Sequence, residues 1–372
     1  PKDGWYAEYR DLLGLKRLHP SAELPSVYHP IDSDVPDMFQ AWQMLRYVDT
    51  QIEHVPVEGD SVTIWTSNWV PWIWSVRDVI QSEVAHTALA YWQAGRRKKA
   101  YDLYRGAIVD AMYCSTVPGA CQGTSEHSRR NAGVASDFSC SVAMFGRALV
   151  EGLFGIVPDA LEGELLIRPG LPREWDSASI DTPDVGYTYS HADNAELFEV
   201  RSHFNRPMRL RLHVAARRAQ VAEVTVNGKK ADWKCLPRVG EPVIEVFAPE
   251  ANGAKVQIRW QGDQPAQAEC PAVVGAEETF TVEVSPGRLC EVNDPQQALK
   301  DVSREAGSFR ATAAGRLGHR TVCARVEQGD LSWWVPVEFE IRPALEICNP
   351  IVDWEAGELQ FAVANNTGKD LQ

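Results

Sequence analysis

Residues 114–138, CSTVPGACQGTSEHSRRNAGVASDF, run into 139–156, SCSVAMFGRALVEGLFGI, and then into 158–176, PDALEGELLIRPGLPREWD. The first piece is polar and rich in small residues. The second has Val142, Phe145, Leu149 and Phe154 close to helical spacing, with Ser136 or Asp137 able to accept from the free N–H groups of a first turn. Gly152 and Gly155 loosen its end and Pro158 stops it. The third opens a strand. Upstream of this stretch the chain reads as helices and downstream as strands, so a helical layer and a β layer are expected to meet here.

Working back, helices are predicted over 36–51, 75–94 and 99–113, with Gly95 as a C-terminal cap and Arg96, Arg97, Lys98 and Lys99 in a solvated turn. Long loops cover 1–35, with a short helical fragment near Glu8 to Leu15, and 52–72 and 114–137, and a tight turn joins the second helix to the third. Alternating tight turns and long loops place the long loops on one face of a ring of helical hairpins. Working forward, LLIRPGLP, LFEVRSHF, MRLRLHVA, AEVTVNGKKAD, PVIEVFAP and AKVQIRWQG alternate apolar and polar residues, and Asn227-Gly228 is the strongest hairpin signal. The divisions predicted are 1–157 helical, 158–262 an antiparallel β-sandwich, 263–345 an immunoglobulin-like β module on pattern alone, and 346–372 the start of a further module. The paired Trp333-Trp334 in an alternating strand puts one ring in the core and the other outside, where it is a binding candidate.

The 372 residues carry a net charge of −14, which argues against nucleic acid and acidic membrane surfaces as partners. No apolar run is long enough to insert in a membrane. The eight cysteines form no CxxC pair, so structural zinc is not expected, and no cofactor is implied; Cys114 with Cys121 and Cys290 with Cys323 are pairs able to bridge, with reduced buried thiols the equal alternative. The opening PKDGWYAEYRD and the closing ANNTGKDLQ read as mid-protein sequence, as in a piece of a longer chain.

The loops favour carbohydrate as the ligand. Sugars offer C–H faces to aromatic rings and hydroxyls to carboxylates, amides and guanidinium groups. Trp65, Asn68, Trp69 and Trp72 stand opposite Gln122, His127 and Arg129 in this reading, with His29 in the first loop. Glycoside hydrolysis needs two carboxyl groups across the bond. Glu126, mid-loop among polar and basic residues, is the leading candidate for the base, with Asp137 the competitor better explained as a cap. Glu83, beside His86 on a helix, reads as structural. For the acid the candidates are Glu8 and Asp32, or a residue upstream of Pro1.

The junction FGRALVEGLFGIVPDALEGELLIRPGLPREWDSASIDTPDVGYTYS resembles the barrel-to-sandwich junction of six-hairpin, (α/α)6-toroid glycosidases, among them the α-L-rhamnosidase-like and glucoamylase-like enzymes. DGWYAEYRDLLGLKRLHP, YHPIDSDVPD, QAWQMLRYVDTQI, TSNWVPWIWS and HTALAYWQAGR look like an uncharacterised bacterial family of such proteins. The resemblance covers about residues 1–190. It implies the C-terminal part of a toroid followed by β-sandwich domains, a catalytic base on the loop that holds Glu126, a secreted or periplasmic protein acting on polysaccharide, and the first half of the barrel as a missing partner. Two other functions fit the same residues: a polysaccharide lyase using Asn68, His127, Arg129 and Tyr28, and a non-catalytic carbohydrate-binding protein.

Overall fold

The computed structural model describes residues 3–70, 76–115, 123–125, 139–251 and 253–367. Among these described residues, strands account for 45% and helices for 20%, with five α-helices. The expected (α/α)6 toroid is therefore corrected: the molecule is a β-rich, multidomain protein carrying a small helical layer. The helices are α1 (Pro25–Asp32), α2 (Met38–Gln51), α3 (Gln81–Gln93), α4 (Arg97–Ile108) and α5 (Ser139–Arg147), of which α3 and α4 form a tight pair turned through Gly95 at φ +81°. Two of the long connections contain β-hairpins, Tyr9–Arg10 with Leu18–His19, where a short helical fragment was expected, and His54–Val57 with Ser61–Ile64. Counting helix–loop alternation alone misses this, because such short strands carry almost no periodicity.

Helix α3 is the centre of the layer. Ten of its residues are buried, and α1, α4 and α5 all pack on it. α2 is held at its start by Asp37, whose side chain accepts from the Gln40 amide at 2.8 Å. α4 and α5 each end in a π-helical turn, Val109–Tyr113 and Ala148–Leu153. The second of these leads into the sandwich through a slot built for one ring. A Cβ at Gly152 would lie 2.2 Å from Trp92, and one at Gly170 would lie 2.3 Å from it, while the Trp92 indole N–H donates to the Gly170 carbonyl at 3.0 Å. Glycine at both positions lets the α3 tryptophan plug the joint between helices and strands.

The first sandwich has a five-stranded sheet in the order Trp233–Leu236, Val243–Ala251, Met208–Ala215, Glu164–Ile167, Ile156–Asp159. Facing it is a six-stranded sheet in the order Lys229–Lys230, Gln220–Val226, Gly253–Gln261, Ala195–Ser202, Val185–Ala192, Ser177–Asp181. Asn227 and Gly228 close their hairpin with φ +52° and +76°, the double positive φ of a type I′ turn. The second sandwich packs two four-stranded sheets, and strictly alternating burial along Leu331–Arg342 marks the face of its core. A hairpin of Leu345–Asp353 with Glu358–Asn365 follows, largely exposed.

Trp333 is 1% exposed in the second core. Trp334 points the other way but is no open sugar platform. Phe39 of α2 meets it edge-on at 5.0 Å, and residues 238–240 of the first sandwich bond its backbone, Trp334 N–H to the Arg238 carbonyl at 2.9 Å and Gly240 N–H to the Trp334 carbonyl at 2.8 Å. Trp42 of α2 adds an indole bond to Glu338 at 2.9 Å. Cys290 and Cys323 are free thiols, so of the two readings the reduced one holds there and not the staple, and Cys114 is free as well. Among the described residues, no helix is long and apolar enough to cross a membrane.

Candidate functional site

Backbone hydrogen bonds knit four loop segments together at the starts of α1 and α3. Leu24 N–H donates to the Thr66 carbonyl at 2.9 Å, and Thr66 N–H to the Asp78 carbonyl at 2.8 Å. Gln81 N–H reaches the Gly123 carbonyl at 3.0 Å, and Ser125 N–H reaches the Val79 carbonyl at 3.2 Å. The loops therefore converge on the face where both helices begin.

Three half-buried glutamates gather there. One oxygen of Glu8 accepts from the Glu23 amide at 3.0 Å and from the Ser26 hydroxyl at 2.6 Å. Glu23 lies between Ala22 and Leu24, both fully buried. Burial, followed by the neighbouring Glu8 carboxylate, pushes Glu23 up to about 7. Glu83, in the first turn of α3, is pushed up to about 8 by burial and then by Glu23. Its Oε2 has no hydrogen-bond partner among the described residues. Tyr28 lies against the same group, and burial with Glu83, Glu23 and Cys140 pushes its phenol well above the ordinary range. Its ring stacks on His86 at 4.1 Å. At neutral pH the cluster is thus poised to keep a proton on a carboxyl group, as a general acid must.

Asp32 sits on the far end of α1 in a different setting. Arg147 grips it with two bonds of 2.7 Å, His86 Nε2 lies at 3.0 Å, and Gln93 donates at 2.8 Å. Burial pushes its carboxyl up, but the bonds from Arg147, Gln93 and His86 outweigh that and hold it well below the usual carboxylate range. An aspartate in this position ties α1, α3 and α5 together and has no proton to give. Burial also pulls His86 down, against the pull of Asp32, so the imidazole is disposed to be neutral.

The remaining residues expected at the site divide in three ways. Trp65 is 3% exposed and belongs to the core, so it has no face free for a sugar. Trp69 is half-buried with its indole N–H donating to the Ser21 carbonyl at 2.9 Å, and the exposed Asn68 gives its amide to the Gln51 carbonyl. His29 is exposed beside Tyr28, at 4.5 Å between ring centroids. Glu126, Trp72, Gln122, His127 and Arg129 lie outside the described residues; Ser125, next to Glu126 in the chain, is bonded to Val79 at the start of α3.

Of the three clustered glutamates, sequence reasoning passed over Glu23 and read Glu83 as structural. The signal was present for Glu83, the one acidic residue of the otherwise apolar stretch EVAHTALAYW, because a carboxylate on a helix buried nearly all round must be desolvated. Among the described residues, no group of three or more His, Cys, Asp or Glu is arranged to hold a metal ion. No protein-family model and no curated protein matches the chain.

Proposed function

We propose that the chain hydrolyses glycosidic bonds of an oligo- or polysaccharide by two-carboxylate acid–base chemistry. The observation that carries this reading is the convergence of Glu8, Glu23 and Glu83 where α1 and α3 begin, with Glu83 unpartnered on one oxygen. Glu83 is the proton donor to the leaving oxygen, kept protonated first by its burial and then by the nearby Glu23. The ionised partner, as base or nucleophile, is Glu8 or Glu126. Glu8 is held as an acceptor by Ser26 and the Glu23 amide, as the second carboxylate of such a pair must be. His29 and Trp69 stand at the edge to meet sugar. A polymer substrate places the protein outside the cytoplasm, secreted or periplasmic. The eliminase alternative has less support, since the phenolate form of Tyr28 is disfavoured by burial and two carboxylates.

The test is turnover on a panel of aryl glycosides and plant or host polysaccharides, with the parent beside Glu83→Gln and Glu126→Gln. Loss of about a hundredfold in Glu83→Gln matches removal of a general acid. Full activity in that variant sinks the assignment.

A further inference from the structure

A cavity of about 60 Å³ opens to solvent where the end of α3 meets the five-stranded sheet of the first sandwich. Trp92, Gln93, Arg97, Arg168, His213 and Arg238 contribute to its wall. A single water needs about 10–15 Å³ of such space, so the cavity suits a few waters or one compact anion. The last carbonyls of α3 are already occupied, that of Trp92 by the Gly95 N–H at 3.0 Å and that of Tyr91 by the Arg96 N–H at 2.8 Å. They do not draw on the side chains of the wall.

The charged groups of the wall fall into two sets. Arg97 is matched by Glu241 through bonds of 2.7 and 2.9 Å, and His213 lies 2.6 Å from Glu245. Arg168 and Arg238 have no such match. Among the described residues, neither guanidinium makes a hydrogen bond or an ion pair, and no nitrogen of either is sealed from solvent. Both side chains are half-buried, so both can reach a molecule in the cavity. Holding these two cations near each other is unfavourable. Burial, then the Arg238 charge, pulls Arg168 below the ordinary arginine range, and burial pulls Arg238 down as well. The carboxylate that acts most on both is Asp34, just beyond α1, and it touches neither. Glu151 and Asp32 act less on Arg168, and both are bound to Arg147.

We propose that this cavity binds a phosphate or sulfate group between Arg168 and Arg238. Guanidinium forks donate in pairs to the oxygens of such a group, and a doubly charged anion offsets both cations at once. The free ion and an ester that extends out through the opening present the same chemistry. Glu8, Glu23 and Glu83 take no part in this binding.

Calorimetric titration of the full chain at constant ionic strength tests it, with inorganic phosphate, inorganic sulfate and the phosphate and sulfate esters of glucose as probes. Binding of at least one probe, weakened at least tenfold in Arg168→Gln and in Arg238→Gln, supports the proposal. An ester that binds more tightly than its free ion identifies a group carried on a larger molecule, and the reverse identifies the ion itself. Asp34→Asn is expected to tighten binding several-fold, since the nearest opposing carboxylate is gone. Asp34 is exposed, so this variant keeps the test valid if neither Gln variant folds. Binding of no probe overturns the proposal, as does binding that survives in both Gln variants or is unmoved in Asp34→Asn.

Discussion

Two carboxylate groups on the same pair of helices show opposite electrostatic logic. Asp32, at the end of α1, is surrounded by Arg147, His86 and Gln93 and is held ionised. Glu83, one turn before His86 on α3, has burial and Glu23 beside it and no cation among the causes of its shift, so it holds its proton up to about 8. The first arrangement returns the cost of desolvation through paired charge and serves architecture. The second leaves that cost standing, and it is this group that the proposed function uses as its acid. Burial alone does not separate the two; the company each carboxylate keeps does.

The contrast can be broken most directly at Glu83. Glu83→Gln is expected to cut turnover about a hundredfold while the protein stays folded, and a variant as active as the parent would reduce both carboxylates to structure. Next in size is Asp32→Asn. Neutralising it leaves Arg147 with Glu151 as its remaining charge partner at 3.0 Å, and chemical denaturation should show a loss of about 2 kcal/mol at pH 7, below the range for a fully buried broken pair. Because Asp32 is held low, its contribution is present above about pH 4 and fades as pH falls below that.

Glu83→Gln should move stability the other way. Its folded value of about 8 lies above the ordinary 4.5, so the unfolded chain ionises first as pH rises. The parent's stability from this group is full below about pH 4.5 and is lost progressively up to about 8. The variant should therefore melt higher than the parent at pH 8.5 and much like it at pH 4. A melting difference independent of pH would sink the claim that Glu83 titrates late. Smaller still is Glu23→Gln: with one neighbouring charge gone, the Glu83 carboxyl should titrate at lower pH, visible by side-chain carboxyl NMR.

The sequence made part of this legible. The helix at 36–51 and the Asn227-Gly228 turn follow from capping and turn chemistry acting over a few residues, and both stand in the structure. The toroid did not stand, because a pattern of helix and loop does not say what covers each helix. α2 buries Phe39 and Trp42 on the second sandwich, some 300 residues away in sequence. The same limit hid the site. Glu8 and Asp32 looked alike as acidic residues in one long loop, and only the distant Arg147 and Glu23's neighbourhood distinguish them. Trp65 read as a loop ring and is core, because Ser61–Ile64 is a strand that carries it inward.

The bonds between residues 238–240 and Trp334 have a mechanical consequence. Two bodies joined by a single linker can swivel, but these sandwiches are fastened again by main-chain bonds at Trp334 and by Ala219 with Asp330. α2 adds Trp42 and Arg46 on Glu338. With so many fastenings the free swing of one sandwich on the other is lost, and in solution the two should tumble with one rotational correlation time. Any substrate long enough to reach from one to the other would meet a stiff ruler.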